Sequence, residues 1–195
     1  MLALLCLALV AGTMAQVPVT CPGPKQFEGR FRRYERERAG RGLVKGFIGY
    51  DETQRRIRVI EEQREQKEDS AYEYLIIYEQ NLEYRVDLHT RKCNITQPRE
   101  PFRPIGVPPE AKFMFEGVIG AAGVPGQTVT VAGFGGQFEG NEYEVSVTYP
   151  NCFPVTRGFK GKDGNLDLTT FYDLTNGISD PELFFPPKEC IVGHH

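Results

Sequence analysis

The sequence predicts a mainly β domain, a sandwich or open barrel with few and short helices. Three observations carry that expectation. Eight short segments read as strands, and the clearest alternate apolar and polar residues with a period of two. Gly- and Pro-rich connections fall between them. Apolar runs stay shorter than 18 residues, so no transmembrane segment is expected. The chain has 195 residues, 40% hydrophobic and 25% charged. That is enough for one domain with a real core, and it is not the composition of a disordered chain. Lys+Arg number 23 against Asp+Glu 26, a net charge of −3, so nucleic acid is not an expected partner.

The elements follow in chain order. Residues 1–15 are almost continuously apolar from Leu2 to Val10 and end in Thr13-Met14-Ala15, the pattern of a secretory signal peptide. Cleavage after Ala15 leaves residues 16–195 as a single domain, secreted and extracellular. A basic stretch follows, with Arg30, Arg32, Arg33, Arg36, Arg38, Arg41 and Lys45 interrupted by Glu35 and Glu37. It reads either as attraction to an acidic surface or, preferably, as a solvated strand face paired with nearby acids. Phe47–Asp51 and Arg56–Glu61 are strand candidates. Gln54–Asp69 is charge-dense, and its second half is either a hairpin tip or a short exposed helix.

Tyr72–Tyr78 is apolar on both faces through Tyr74, Leu75, Ile76 and Ile77, which predicts a strand covered on both sides. Tyr84, Val86 and Leu88 alternate with Arg85, Asp87 and His89. Residues 98–109 carry five prolines and no alternation, so they are expected to form an extended loop over the surface or between two sheets. Lys112–Ile119, Thr128–Phe134, Glu142–Tyr149 and Leu166–Tyr172 complete the strands. Asp180-Pro181-Glu182 predicts a helix start with Asp180 as the N-cap, and Pro186-Pro187 limits it to a turn or two.

Cys21, Cys93, Cys152 and Cys190 remain in the mature chain beside Cys6 of the leader. Their wide spacing argues against zinc and for two disulfides in an oxidising compartment. Four cysteines allow three pairings, among which the spacing does not choose. The loops closed are long, so each bond stabilises by about 4–5 kcal/mol less any strain. Asn94-Ile95-Thr96 is an N-glycosylation acceptor.

Catalytic constellations are scarce, and the chain is not expected to be an enzyme. Histidine is confined to His89, His194 and His195, and neither a nucleophile elbow nor a metalloprotease motif is present. Asp163-Gly164-Asn165-Leu166-Asp167 resembles a calcium loop slightly, but Leu174 stands where the twelfth position needs Glu, and a turn is preferred. Surplus apolar area is what remains. Phe113, Phe115, Phe134, Phe138, Tyr143, Tyr149, Phe159, Phe171, Phe184 and Phe185 recur at inward positions. From the residues alone, a filled core is the preferred reading of them.

The order of several marks resembles the ependymin family. Cys21-Pro22 stands near the mature N-terminus, followed by Phe27-Glu28-Gly29, then Gly49-Tyr50-Asp51 and Arg56-Ile57-Arg58. Later come Cys93, the run Tyr149-Pro150-Asn151-Cys152-Phe153-Pro154-Val155, and a last cysteine, Cys190. The resemblance implies two stacked, curved antiparallel sheets forming a half-open barrel around a deep hydrophobic pocket, similar to bacterial lipoprotein carriers. It also implies secretion, N-glycosylation, a homodimer and an association with calcium, with no calcium ligand placed residue by residue and no other cofactor. By position it pairs Cys21 with Cys152 and Cys93 with Cys190. Under it Tyr74, Ile76, Phe113, Phe115, Phe134, Phe138, Tyr143, Val145, Val147, Phe159 and Phe171 become candidate pocket walls. The expected function is then a secreted glycoprotein carrying a lipid, such as a fatty acid, or another hydrophobic small molecule, with Arg56 and Arg58 as conceivable head-group partners. The rival is an extracellular matrix or cell-adhesion protein acting through its surface and glycan.

Overall fold

Alternation along the chain becomes one antiparallel sheet of eleven strands. The computed structural model describes residues 17–37, 40–64 and 69–191. The expected leader, Cys6, Arg38, His194 and His195 lie outside them. The strands are β1 (Gln26–Glu37), β2 (Gly40–Asp51), β3 (Arg56–Arg64), β4 (Asp69–Ile77), β5 (Leu82–Asp87), β6 (Cys93–Thr96), β7 (Lys112–Gly120), β8 (Thr128–Phe138), β9 (Asn141–Thr148), β10 (Pro154–Lys160) and β11 (Leu166–Asn176). Their spatial order is β6-β5-β4-β3-β2-β1-β11-β10-β9-β8-β7, so β6 and β7 are the free edges of an unclosed half-barrel. Its two curved halves share one hydrogen-bonded ladder, joined where β1 pairs with β11.

All eight expected strands are present, and three more join them. β1 and β10 escape the period-two pattern because Arg33, Glu35 and Arg157 occupy positions that the pattern reserves for apolar residues. β6 is too short, at 4 residues, to show a period. The charge-dense segment is a long hairpin, since Arg64 pairs with Asp69 in the β3–β4 register. Among the described charges near its tip, Glu62, Arg64 and Asp69 project from the sheet into water.

One face of the sheet, here the inner face, is crossed by the proline-rich segment 97–111, which runs from edge strand β6 to edge strand β7. A flat sheet of this width would separate those edges by roughly 50 Å, about the full reach of 15 extended residues. The strap nevertheless packs into both halves. Phe102 and Ile105 lie against a cluster of Phe27, Phe31, Val44, Ile48 and Tyr50. Val107 belongs to a second cluster with Ala132, Phe134, Tyr143, Val145, Val147 and Cys152. Backbone bonds seat it: the Ile105 N–H donates to the Tyr50 hydroxyl at 3.0 Å, and the Val107 N–H to the Cys21 carbonyl at 3.2 Å. Phe102 stacks on Tyr50 with ring centroids 6.0 Å apart. A disulfide joins Cys21 to Cys152, Cα atoms 6.2 Å apart, and so ties the chain leading into β1 to the β9–β10 connection.

The C-terminal segment covers the opposite, outer face of β2–β5. Asp180 caps a 3-10 helix, Pro181–Phe184, by accepting from the Glu182 N–H at 2.9 Å. Leu183 occupies the space where a side chain at Gly49 would stand, only 2.4 Å from an added Cβ. Leu75 and Val86 are completely buried beneath this segment together with Phe184. The outer face of β4 is thus covered at Leu75, whereas Tyr74 and Ile76 on its inner face are only half-buried. A short helix, Lys188–Ile191, then brings Cys190 to Cys93 on β6. Deleting most of the fully buried Leu75 side chain leaves a cavity that a rigid sheet cannot close. Leu75→Ala is therefore expected to cost about 2–5 kcal/mol, read as a lowered denaturant midpoint at unchanged m-value. Phe185→Ala, at a side chain 59% exposed, should leave that midpoint within about 0.5 kcal/mol.

Candidate functional site

The inner face is apolar where the strap covers it and charged where the strap ends. Strand parity places Phe27, Phe31, Arg33 and Glu35 on this face, and cross-strand register continues it into Glu61, Tyr72, Tyr74 and Arg85 on one side. On the other side it continues into Thr169, Asp167, Arg157 and Phe159. Arg33 is the hub. Its guanidinium lies 2.6 Å from Glu35, 3.1 Å from Glu61 and 3.7 Å from Asp167. Burial pulls Arg33 down, but the three carboxylates outweigh it and hold the guanidinium above its ordinary range. Burial pushes the Glu61 carboxyl up, and Arg33 offsets this only in part. Asp167 is raised in the same way, against the opposing pull of Arg157 and Arg33. Arg85 sits 4.0 Å over the Tyr72 ring, a cation–π contact, with its Nε buried and unpartnered.

Arg157 differs from these. It stands between Val145 on β9 and Thr169 on β11 in the sheet register. Among the described residues it makes no ion pair or hydrogen bond. Its side chain is exposed to water; burial of its stem among neighbours pulls its pKa down, while Asp167, beyond ion-pair distance, pulls it up. It stands at the edge of a cavity. That cavity, about 90 Å³, is walled by Ile105 of the strap and by Val145, Val147 and Phe171, with Arg103 at its side. A larger recess of about 520 Å³ opens further along β10, where Phe159 and Leu166 meet Glu35, Lys162, Asp163 and Asp167. Phe159 and Arg157 are alternate residues on one face of β10, so the two hollows follow one another along that strand without sharing a lining residue.

The structure brings some of the expected pocket residues together. Val145, Val147 and Phe171 line the smaller cavity and Phe159 the larger recess. Phe134 and Tyr143 are buried in the adjoining cluster, with Phe138 packed against it. The Tyr143 hydroxyl is buried without a hydrogen-bond partner. Tyr74 and Ile76 lie on the inner face of the other half, away from this group. Phe113, 36% exposed on edge strand β7, meets Phe134 edge-on at 5.9 Å. A bulge between Phe113 and Phe115 turns Phe115 onto the outer face, where its ring fills the space beside Gly133. Arg157 is missing from the expected set because a charged residue in a strand reads as solvent-facing.

Arg56 and Arg58 are not head-group partners. They lie on the outer face, where Arg56 pairs with the buried Asp51 at 2.9 Å and stacks over Phe184 at 4.2 Å. Arg58 pairs with Glu73 and donates to the Leu183 and Phe185 carbonyls at 2.7 and 3.0 Å, which fastens the C-terminal segment. The Asp163–Asp167 loop is the β10–β11 turn: the Asp163 carboxylate accepts from the Asn165 backbone and side chain, while Asp167 faces Arg33 across the sheet. No cluster of three potential metal-ligating His, Cys, Asp or Glu side chains occurs among the described residues. Both carboxylate oxygens of Asp163 are engaged within the turn itself.

A curled, unclosed antiparallel sheet with a proline-rich strap across its inner face and two long-range disulfides defines the class of protein. The ependymin family model matches residues 66–190, more than half of the chain, and the chain belongs to that family. It is 26% identical to mammalian ependymin-related protein 1 of Rattus norvegicus over 177 residues, 89% of this chain and 77% of that one. Ependymin of Clupea harengus is 24% identical over 192 residues, 96% and 90% of the two chains. Among solved structures, an uncharacterized conserved protein from Thermus thermophilus shares the fold with a TM-score of 0.50 at 10% identity, covering 85% of this chain and 87% of that one.

Removing Arg33 would leave Glu35, Glu61 and Asp167 facing one another with only the more distant Arg85 and Arg157 to offset Glu61 and Asp167. Arg33→Met is expected to cost about 3 kcal/mol at neutral pH, read from denaturant midpoints. The sign with pH follows from the carboxyls. Folded-state pKa values raised by burial favour the protonated, folded form, so stability is present at acid pH and lost as pH rises through the raised values. Loss of Arg33 raises them further, and the deficit should therefore shrink toward pH 4. A deficit independent of pH would count against the charge explanation.

Proposed function

We propose that this protein is a secreted, non-enzymatic carrier that holds a lipid or other hydrophobic small molecule against the inner face of its sheet. Arg157 is the observation that supports this reading. Its guanidinium is open to water, makes no ion pair or hydrogen bond among the described residues, and stands beside Val145, Val147, Phe171 and Ile105, so it is placed to meet an anion whose apolar part lies against them. A fatty-acid-like carboxylate supplies that anion, and its tail finds the apolar trough beneath the strap. The present gap of about 90 Å³ is below the roughly 300–1,000 Å³ of a ligand pocket. Phe102, Ile105 and Val107 of the strap therefore occupy part of the tail's place and move aside for it. Each methylene buried adds about 0.8 kcal/mol.

Other features of the chain fit an exported protein. The leader 1–15, a single domain 16–195, two disulfides and Asn94, exposed on edge strand β6, together describe a secreted glycoprotein. No helix among the described residues is long and apolar enough to cross a membrane. The other free edge, β7, exposes Met114, Val118 and Ile119, and is where a second copy would join in a homodimer. An association with calcium, with no ligand assigned to it, is kept as part of this reading. Adhesion through the surface and glycan is the second reading, favoured by the basic outer face of β1 and β2.

Native mass spectra of protein from a secretory host should show an added mass of a few hundred daltons that organic extraction removes. Stripped protein should bind a fluorescent fatty acid. Arg157→Gln should weaken the carboxylate about 10–100-fold, the worth of a hydrogen bond to a charged group, while a fatty alcohol of equal length binds both forms alike. Protein that arrives bare and takes up neither probe would end the carrier reading. Separately, Asn94→Gln should remove one glycan mass from the secreted chain.

A further inference from the structure

We propose that the outer face of the β1–β2 hairpin is a binding site for a linear sulfated polysaccharide. Register divides the basic stretch in two. Arg33 turns inward with Phe27 and Phe31, whereas Arg30, Arg32 and Arg36 turn outward. Across the hairpin, Arg32 stands directly opposite Lys45, and Arg36 directly opposite Arg41. All five outward cations are exposed. Like charges at directly opposed positions destabilise a strand pair, and opposite charges there stabilise it. Folding alone therefore gives no reason for this arrangement, whereas a polyanion lying along the hairpin does.

The described acids on this face do not neutralise it. Glu62 pairs with Lys45 at 2.8 Å, Asp69 with Arg64 at 4.0 Å and Asp173 with Arg30 at 3.9 Å, all strongly exposed pairs. Such pairs are worth about 0–1 kcal/mol and exchange readily for a stronger anion. Arg32, Arg36 and Arg41 have no ion pair or hydrogen bond among the described residues. In a chain of net charge −3, this is a segregated positive strip. Alternate residues along a strand lie about 7 Å apart and neighbouring strands about 5 Å. The four facing cations thus frame a track about 13 Å long and two strands wide. Half-buried Tyr34 and Leu43 form its floor.

A linear chain with anionic groups repeated along it fits that track better than a membrane does. Tyr34 and Leu43, the side chains between the four cations, are half-buried as the floor of the track, and the exposed Leu168 and Tyr172 lie on the adjacent strand β11, where they pair with Tyr34 and Arg30. The site is on the opposite face of the sheet from Arg157, so it stands or falls independently of the carrier reading.

The test uses heparin as the probe and the full secreted chain. The wild-type protein should be retained on heparin at 0.15 M NaCl and should ignore heparin stripped of its sulfates. Arg32→Gln/Arg36→Gln/Arg41→Gln together should weaken binding at least about tenfold and flatten the slope of log K against log salt by up to about 3. Their thermal midpoint should be unchanged or higher, because repulsion is relieved. Arg36→Gln alone should show a partial loss, which covers the case of a triple variant that fails to fold. Lys160→Gln, on a strand outside the track, should bind as the wild type does. Undiminished heparin binding by the folded triple variant would overturn the proposal. So would capture by phosphatidylserine vesicles without capture by heparin.

Discussion

A proline-rich segment must connect the two edges of an eleven-stranded sheet and still pack on its core, and the sheet coils to permit it. Residues 97–111 are too few to pass loosely around a flat sheet, so they cross its inner face. Their apolar side chains then complete two clusters that the strands alone leave open, one on each half. The disulfide between Cys21 and Cys152 and the bond from Val107 to the Cys21 carbonyl hold the crossing from below. Five prolines suit such a strap, since it has few ladder partners to lose and little freedom to give up on folding.

The same crossing organises the site. Where the strap covers the inner face, the residues beneath it are aromatic and aliphatic. Where it does not, Arg33 lies among Glu35, Glu61 and Asp167, with Arg85 and Arg157 offsetting the remaining negative charge, and their partial burial makes the arrangement sensitive to the loss of Arg33. Arg157 lies on the border between these regions and belongs to neither. The outer face is divided as well: the C-terminal segment seals β2–β5 by using Arg56 and Arg58 as fasteners, and the far ends of β1 and β2 stay bare and basic.

Strands whose inward positions are apolar were legible from the sequence, and so was the Asp180 cap. β10 was not, because Arg157 breaks the period that marks a strand, and β1 showed only as a basic stretch preferably read as a solvated strand face, since Arg33 and Glu35 break its period. The long hairpin β3–β4 was ambiguous for a related reason: charge on both flanks of a turn suits an exposed helix as well as two exposed strand ends. Phe115 shows the opposite failure. Its alternation with neighbours assigns it inward, and one bulge sends it to the outer face over Gly133.

The sequence by itself determined the β class, the even set of widely spaced cysteines, the glycosylation acceptor and the turn and cap positions. Each of these depends on residues close together in the chain, or on their number alone. Tertiary structure decided which arginines are fasteners, which are neutralised and which are free. Arg32 and Arg33 are neighbours in sequence, yet one faces water opposite Lys45 and the other lies among three carboxylates. Coulomb energy depends on distance in space and on burial, and both are set here by the register of strands far apart in the chain.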